Sequence, residues 1–283
     1  MTATLETLKG LSTWTVLSET KRMNALSVFA PAELLSLGED NQLSRDGGRT
    51  WTVVELPGKG RSGAGNHAST SAGTFYSEDG WRSWTKTLDA GLENLCVLGD
   101  KRAFGIVGGK VYEFVNGEWD CTLNGGRSRI RSLAANAQTS SAVAVAGKGT
   151  VWHRDSGGEW TQHPIAGAKS LQLIRLFPLD LGFVGITNHP HTLWWSADGE
   201  TWKKSSPLPW HWAAISRGDS LLMTGGNPEG DWFVQAGDGT ARIEPYEPTP
   251  VCLLASGPDD QGDETCWGLA QLDSKRFVLM MSR

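Results

Sequence analysis

Cysteine is scarce in this chain. Four residues in 283, Cys96, Cys121, Cys252 and Cys266, include no CxxC pair of the kind that builds a structural zinc site. They are expected to be buried thiols. Cys252 and Cys266 fall on segments that can neighbour one another, but a disulfide between them is not favoured. No stretch approaches the roughly 18–20 apolar residues that span a bilayer. The opening MTATLETLKGLSTW has neither a basic segment leading into an apolar run nor a small-residue cleavage site. No membrane insertion and a cytoplasmic setting are therefore expected. Charge of one sign is also missing: 26 basic against 31 acidic residues leave a net −5, so no global field favours nucleic acid. Helical periodicity of useful length is absent as well.

What is abundant points one way. The chain has 35 glycines and 14 tryptophans; glycine serves tight turns and tryptophan fills large gaps between sheets. The two combine in a repeated phrase, SRDGGRTW (Ser44 to Trp51), SEDGWRSW (Ser77 to Trp84) and SADGETW (Ser196 to Trp202). RDSGGEW, with Asp155 and Trp160, and FVNGEW, ending at Trp119, are looser copies. AGDGTARI near Asp238 puts Ile243 in the tryptophan's place, and Trp14 looks like the same strand without its hairpin.

Measured between positions 14, 51, 84, 119, 160, 202 and 243, the intervals are 37, 33, 35, 41, 42 and 41 residues. That is the size of one four-stranded propeller blade, about 40 residues. Short strand signals inside the intervals agree, as in ALSVFA, ELLSLG, NQLS and TWTVVEL. The interval containing GKGRSGAGNHASTSAG is poor in apolar residues, and its inner strands are expected to be short or irregular. After Ile243 three strand signals remain without a fourth, and the N-terminus supplies a lone fourth strand. The expectation is an all-β, seven-bladed propeller of four-stranded antiparallel blades, closed by the N-terminal strand and forming one domain over residues 1–283.

SRDGGRTW resembles the Asp-box (BNR-like repeat), S-x-D-x-G-x-T-W, of sialidase-like and related β-propellers. Ser44, Asp46, Gly48, Thr50 and Trp51 match all five specified positions. The second copy keeps Ser77, Asp79 and Trp84 but puts Trp81 at the glycine; the copy with Ser196, Asp198, Thr201 and Trp202 is one residue shorter; that with Asp155 and Trp160 lacks the threonine. Physically the motif is a hairpin device. Its serine and aspartate bond turn backbone, its glycine takes positive φ and its tryptophan packs between blades. The four aspartates are therefore read as structural, one per blade and far apart, rather than as a metal or acid–base site.

The resemblance places ligand contacts on the face opposite these hairpins. That face is expected to receive residues 188–191, 207–212, 227–231, 244–248 and 257–264, against Lys21, Arg22, Lys59, Arg61, Arg127 and Arg129 on its other side. The surface should be aromatic and acidic over blades five to seven, basic over blades one to four. Trp210, His211 and Trp212, with His189, His191 and Tyr246, form the candidate contact patch. Alternation of Arg127, Arg129 and Arg131 would aim all three towards the channel, where guanidinium groups can grip a carboxylate or phosphate. His189-x-His191 with His211 has no carboxylate or cysteine fixed beside it, so neither metal nor cofactor is expected.

A sialidase-like glycoside hydrolase needs a tyrosine nucleophile and an arginine cluster, and only Tyr76, Tyr112 and Tyr246 are available. A lectin would copy its sugar pockets between blades, whereas these repeats diverge outside the turn. Divergence suits a non-catalytic propeller binding a protein partner through one asymmetric face, as the resembling photosystem assembly-factor propellers do. A glycan ligand or glycosidase activity is the alternative.

Overall fold

The computed structural model describes residues 14–99, 101–147, 149–165, 173–188, 191–207, 213–224, 231–235, 242–246, 251–272 and 276–282. Strand β1 (Thr15–Thr20) pairs with nothing near it in sequence. Blade one follows as β2 (Met23–Ala30), β3 (Glu33–Gly38), β4 (Gln42–Ser44) and β5 (Thr52–Val53). Blade two is β6 (Gly60–Ala64), β7 (His67–Thr70), β8 (Gly73–Tyr76) and β9 (Thr85–Leu88). Blade three is β10 (Glu93–Val97), β11 (Arg102–Val107), β12 (Lys110–Val115) and β13 (Glu118–Asn124). Blade four is β14 (Ile130–Asn136), β15 (Ser141–Ala146), β16 (Thr150–Arg154) and β17 (Trp160–Pro164). Blade five is β18 (Leu173–Leu179), β19 (Gly182–Asn188), β20 (His191–Ser196) and β21 (Lys203–Pro207). Blade six is β22 (Ala213–Arg217), β23 (Ser220–Thr224), β24 (Asp231–Gln235) and β25 (Arg242–Tyr246). Blade seven is β26 (Val251–Pro258), β27 (Glu264–Gln271) and β28 (Phe277–Ser282), and β1 is its outer strand.

All pairings are antiparallel, and the seven first strands touch in a closed circuit from β2 through β6, β10, β14, β18 and β22 to β26 and back to β2. The architecture is the seven-bladed β-propeller that the spacing predicts. Its closure runs from Thr15 opposite Met281 to Thr20 opposite Phe277. The tryptophan ruler marks one place in every blade: Trp14, Trp51, Trp84 and Trp202 immediately precede or closely approach the outer strand, while Trp119, Trp160 and Ile243 lie within it.

Burial follows position in the blade. The middle strands are covered on both faces by neighbouring blades, so β15 (SAVAVA) and β28 (FVLMMS) are buried throughout instead of alternating. Outer strands are more exposed: β13 buries only Trp119 and Leu123 and leaves its other five residues exposed. Seven apolar clusters result among the described residues, one at each blade boundary.

The apolar-poor second interval is a complete blade, and packing explains its composition. A Cβ on Gly60 would lie 2.5 Å from Leu37 Cβ, and one on Gly63 2.8 Å from Leu37 Cδ1. Blade one's buried Leu35 and Leu37 supply the bulk, so blade two must supply small residues. Between blades three and four, where Arg154 and Glu113 are both buried, Arg154 Nη2 donates to both carboxylate oxygens of Glu113 at 2.9 and 3.1 Å, with Arg102 Nε 3.3 Å from Oε1.

Gly48 carries both demands made on a turn glycine. Its φ is +95°, and an added Cβ would sit 2.2 Å from Leu279 Cδ2 on blade seven. Gly117 has a similar φ of +96° with open space around it. Gly48→Ala should lose about 2–4 kcal/mol in urea unfolding, against about 1–2 for Gly117→Ala, because only the first adds a steric cost to the backbone one.

Candidate functional site

The turn carboxylates are committed to the backbone. Ser44 Oγ donates to Asp46 Oδ1 (2.8 Å) and accepts from the Gly48 amide (2.8 Å). The same Asp46 oxygen accepts from the amides of Arg49 (3.0 Å) and Thr50 (2.9 Å), and Oδ2 accepts from Thr50 Oγ1 (2.6 Å). Asp79 repeats this with Ser77, Arg82 and Ser83, and Asp198 with Ser196, Glu200 and Thr201. Asp155 keeps a reduced version, accepting from the Glu159 amide at 3.0 Å. Bonds from the Ser83 hydroxyl and amide pull the Asp79 carboxyl down to about 2. At Asp46 and Asp198 burial works the other way, but the combined turn bonds outweigh it and hold both below the usual carboxylate range. A carboxylate whose lone pairs are taken up in this way, one per blade, is a fastening and leaves little for chemistry.

The tryptophans complete the fastening. Trp51 Nε1 donates to Ser18 Oγ (3.3 Å), Trp119 Nε1 to Thr87 Oγ1 (3.0 Å) and Trp160 Nε1 to Thr122 Oγ1 (3.3 Å). Each acceptor sits on the outer strand of the preceding blade. Trp202 instead bonds its own turn at the Gly199 carbonyl (3.0 Å). Trp81 occupies the Gly48 position with φ +65° and is nevertheless buried in the cluster between blades one and two.

Of the segments expected on the opposite face, residues 189–190, 208–212, 227–230 and 247–248 lie outside the described residues; Asn188 and His191 end β19 and begin β20, Asp231 begins β24, and Pro207 and Tyr246 end the outer strands β21 and β25. Residues 257–264 do not belong there. They join β26 to β27, so they form a first hairpin, on the same face as the turn clasps. The eight-residue length of β26, ending at Pro258, carries the acidic run to that end; there the Pro258 carbonyl accepts from the Ala32 amide of blade one's first hairpin (3.0 Å). The expected acidic sector of the opposite face is smaller by that loop.

Trp210, His211, Trp212 and His189 lie outside the described residues. His191 begins β20 opposite Asn188 and is half-buried, and Tyr246 ends β25 opposite Asp231. The basic sector is partly neutralised: Lys21 pairs with Asp40, and Lys59 Nζ lies 2.7 Å from Glu39 Oε1. Arg127 and Arg129 are exposed, and neither guanidinium has an ion pair or hydrogen bond among the described residues. The alternation expected of Arg127, Arg129 and Arg131 is broken. Arg127 sits in a turn closed by the Ser128 amide on the Gly125 carbonyl (3.1 Å), and a bulge separates Ile130 from Ser132. Arg129 packs its stem on Gly109 of blade three's second hairpin, where a Cβ would meet Arg129 Cβ at 2.7 Å.

None of the three tyrosines lies on a channel-lining first strand: Tyr76 and Tyr112 are on third strands and Tyr246 on a fourth. Cys96, Cys121 and Cys266 form no disulfide among the described residues. Burial pushes the Cys96 thiol up to about 12. Cys121 is exposed, contrary to the expectation of burial; it lies in outer strand β13 beside a bulge in the pairing with β12, between the buried Trp119 and Leu123. Cys266 faces Ser256, and Cys252 falls in the bulge between Val251 and Leu253, with no description of its side chain.

Two features had no legible signal in the sequence. A cavity of about 570 Å³ opens between blades two and three on the clasp side, lined among others by Tyr76, Glu78, Trp84, Lys101 and Phe114. Beside it His67 is buried, with Tyr76 (4.8 Å), Phe114 (4.6 Å) and Trp119 (5.6 Å) around its ring and, among the described residues, no hydrogen-bond partner at either nitrogen. Burial lowers its pKa to about 4. Among the described residues, no helix is long and apolar enough to cross a membrane.

No protein-family model matches the sequence, and a comparison with curated proteins gives no match. Solved structures do match. YCF48 from Cyanidioschyzon merolae superposes with a TM-score of 0.65 at 13% identity, over 96% of this chain and 99% of that one. A structure of YCF48 bound to D1 peptide gives 0.66 at 17% identity, over 96% of each chain. The fold is thus similar to that of photosystem-assembly-factor-like propellers.

Because the unfolded chain binds a proton at His67 near pH 6.5 and the folded one only near 4, stability should be complete above pH 6.5 and fall as the pH drops towards 4. His67→Leu should flatten that part of a urea-midpoint-against-pH curve. Asp79→Asn should flatten the separate loss between about pH 4 and 2.

Proposed function

We propose that the chain is a non-catalytic propeller, acting as a single domain over residues 1–283, that binds a protein partner through the face bearing the second hairpins and blade links. The partner meets Trp210, His211 and Trp212, flanked by His189, His191 and Tyr246, with Arg127 and Arg129 contacting carboxylates at the far rim. The observation that carries this reading is the contrast between faces. On one, the repeated carboxylates are spent on their own turns. On the other lie loops that the repeat does not copy and two exposed guanidinium groups without a partner among the described residues.

Two further points favour it. The tyrosines stand away from the first strands, where a sialidase-like nucleophile would be needed. A ring of this shape also accommodates polypeptide in YCF48 bound to D1 peptide.

Affinity capture from the source cells, with the captured proteins identified by mass spectrometry, tests the placement. Trp210→Ala with Trp212→Ala should abolish recovery of a partner retained by the wild type, and Arg127→Glu with Arg129→Glu should weaken it at least about tenfold with a reduced salt dependence. Unfolding midpoints should stay unchanged. Capture that survives both pairs would refute this face; glycan-array binding or turnover of a fluorogenic sialoside would refute the function.

A further inference from the structure

The turn repeat is broken at one place in a chemically specific way. Where blades one, two and five have the clasp serine, two residues before the aspartate, blade four has His153. Its aspartate, Asp155, manages without that serine, and the imidazole is directed elsewhere: His153 Nδ1 lies 3.1 Å from Glu200 Oε1, on the turn of blade five. His163 joins them. In the β16–β17 ladder His153 faces Thr161 and Val151 faces His163, so the two histidines are diagonal neighbours on one side of the sheet. Their rings are 6.3 Å apart, and one ligand atom from each of His153, His163 and Glu200 falls within 4.8 Å of the others.

We propose that His153, His163 and Glu200 form a binding site for a divalent transition-metal ion, zinc in the first instance, joining blade four to the turn of blade five. Two imidazole nitrogens and one carboxylate oxygen are a donor set for borderline ions; calcium and magnesium prefer oxygen alone. Three protein ligands leave coordination positions for water, and the site is open on that side, since Glu200 is half-exposed and His163 partly so. The buried member is held in place. The side chain of His153 is 9% exposed, and Gly199 leaves it room: a Cβ there would lie 2.7 Å from His153 Cδ2 and 3.3 Å from Nε2. Thr161 Oγ1, 2.9 Å from His163 Nε2, orients the second imidazole. Glu200 is itself positioned by the clasp, its amide donating to Asp198 Oδ1 at 2.9 Å.

The test uses full-length protein without a histidine tag, stripped of metal and then titrated with Zn²⁺ by equilibrium dialysis and with Co²⁺ by visible absorption. One equivalent per chain should bind, Co²⁺ should develop ligand-field bands, and Zn²⁺ should raise the unfolding temperature. Replacing buried His153 risks unfolding, so the decisive variants are His163→Ala and Glu200→Gln. Each should weaken binding at least about tenfold and abolish the thermal shift, with the unfolding temperature of the metal-free protein little changed. His189→Ala with His191→Ala should bind as the wild type does. Absence of saturable binding, binding unchanged in both decisive variants, or loss confined to the His189 and His191 variant would each overturn the assignment.

Discussion

Hydrogen-bond ladders in this ring run within blades, so the junction between blades rests on side chains and on a few backbone links such as the Ile130 amide to the Gly109 carbonyl. A tryptophan indole spanning that junction is the contact on which the rest depends. At Trp51, Trp119 and Trp160 its ring fills the gap between two sheets and its N–H reaches a hydroxyl on the previous blade's outer strand. The reach is set by the turn just before it. At Trp51 serine and aspartate fix that hairpin, at Trp160 Asp155 does so without the serine, and at Trp119 Asn116 and Gly117 turn the chain at positive φ. The hairpin fixes where the outer strand begins, and the indole arrives at the right height to meet its acceptor. Local polar geometry thereby sets the angle at which apolar blades stack.

That dependence makes the departures informative. Trp81 replaces a turn glycine and accepts a left-handed backbone, with burial between blades one and two to offset the strain. His153 replaces a clasp serine and turns towards the next blade. Trp202 bonds its own turn because a hairpin one residue shorter brings the Gly199 carbonyl within reach. In the first two cases a neighbouring blade supplies the other contact, and in the third the blade's own turn does.

The ring was legible in the sequence because its signal is periodic. Positions 14, 51, 84, 119, 160, 202 and 243 mark the outer strand of every blade, and the closure by β1 followed from counting strands left over at the ends. Features that depend on contacts across the ring were not legible. His67, its aromatic cage and the adjoining cavity join residues of blades two and three with no spacing to announce them. His153, His163 and Glu200 are equally scattered along the chain, while the conspicuous His189-x-His191 drew attention by adjacency alone. The misplaced acidic loop 257–264 shows a third kind of limit. Hairpin order alternates the faces, so mistaking a first hairpin for a second moves a loop to the other side of the molecule.

Closure by β1 has a consequence for how the chain is made. Thr15 leaves the ribosome long before its partner Met281 is made. While blades one to six take shape, the strand that completes blade seven has no mate, and the growing arc exposes two open sheet faces at its ends. Such a long-range pairing places the ring among slow-closing topologies, with its last step deferred until β28 is available. The seam between β1 and β28 is thus where nascent chains are most open to chaperones or to pairing with one another.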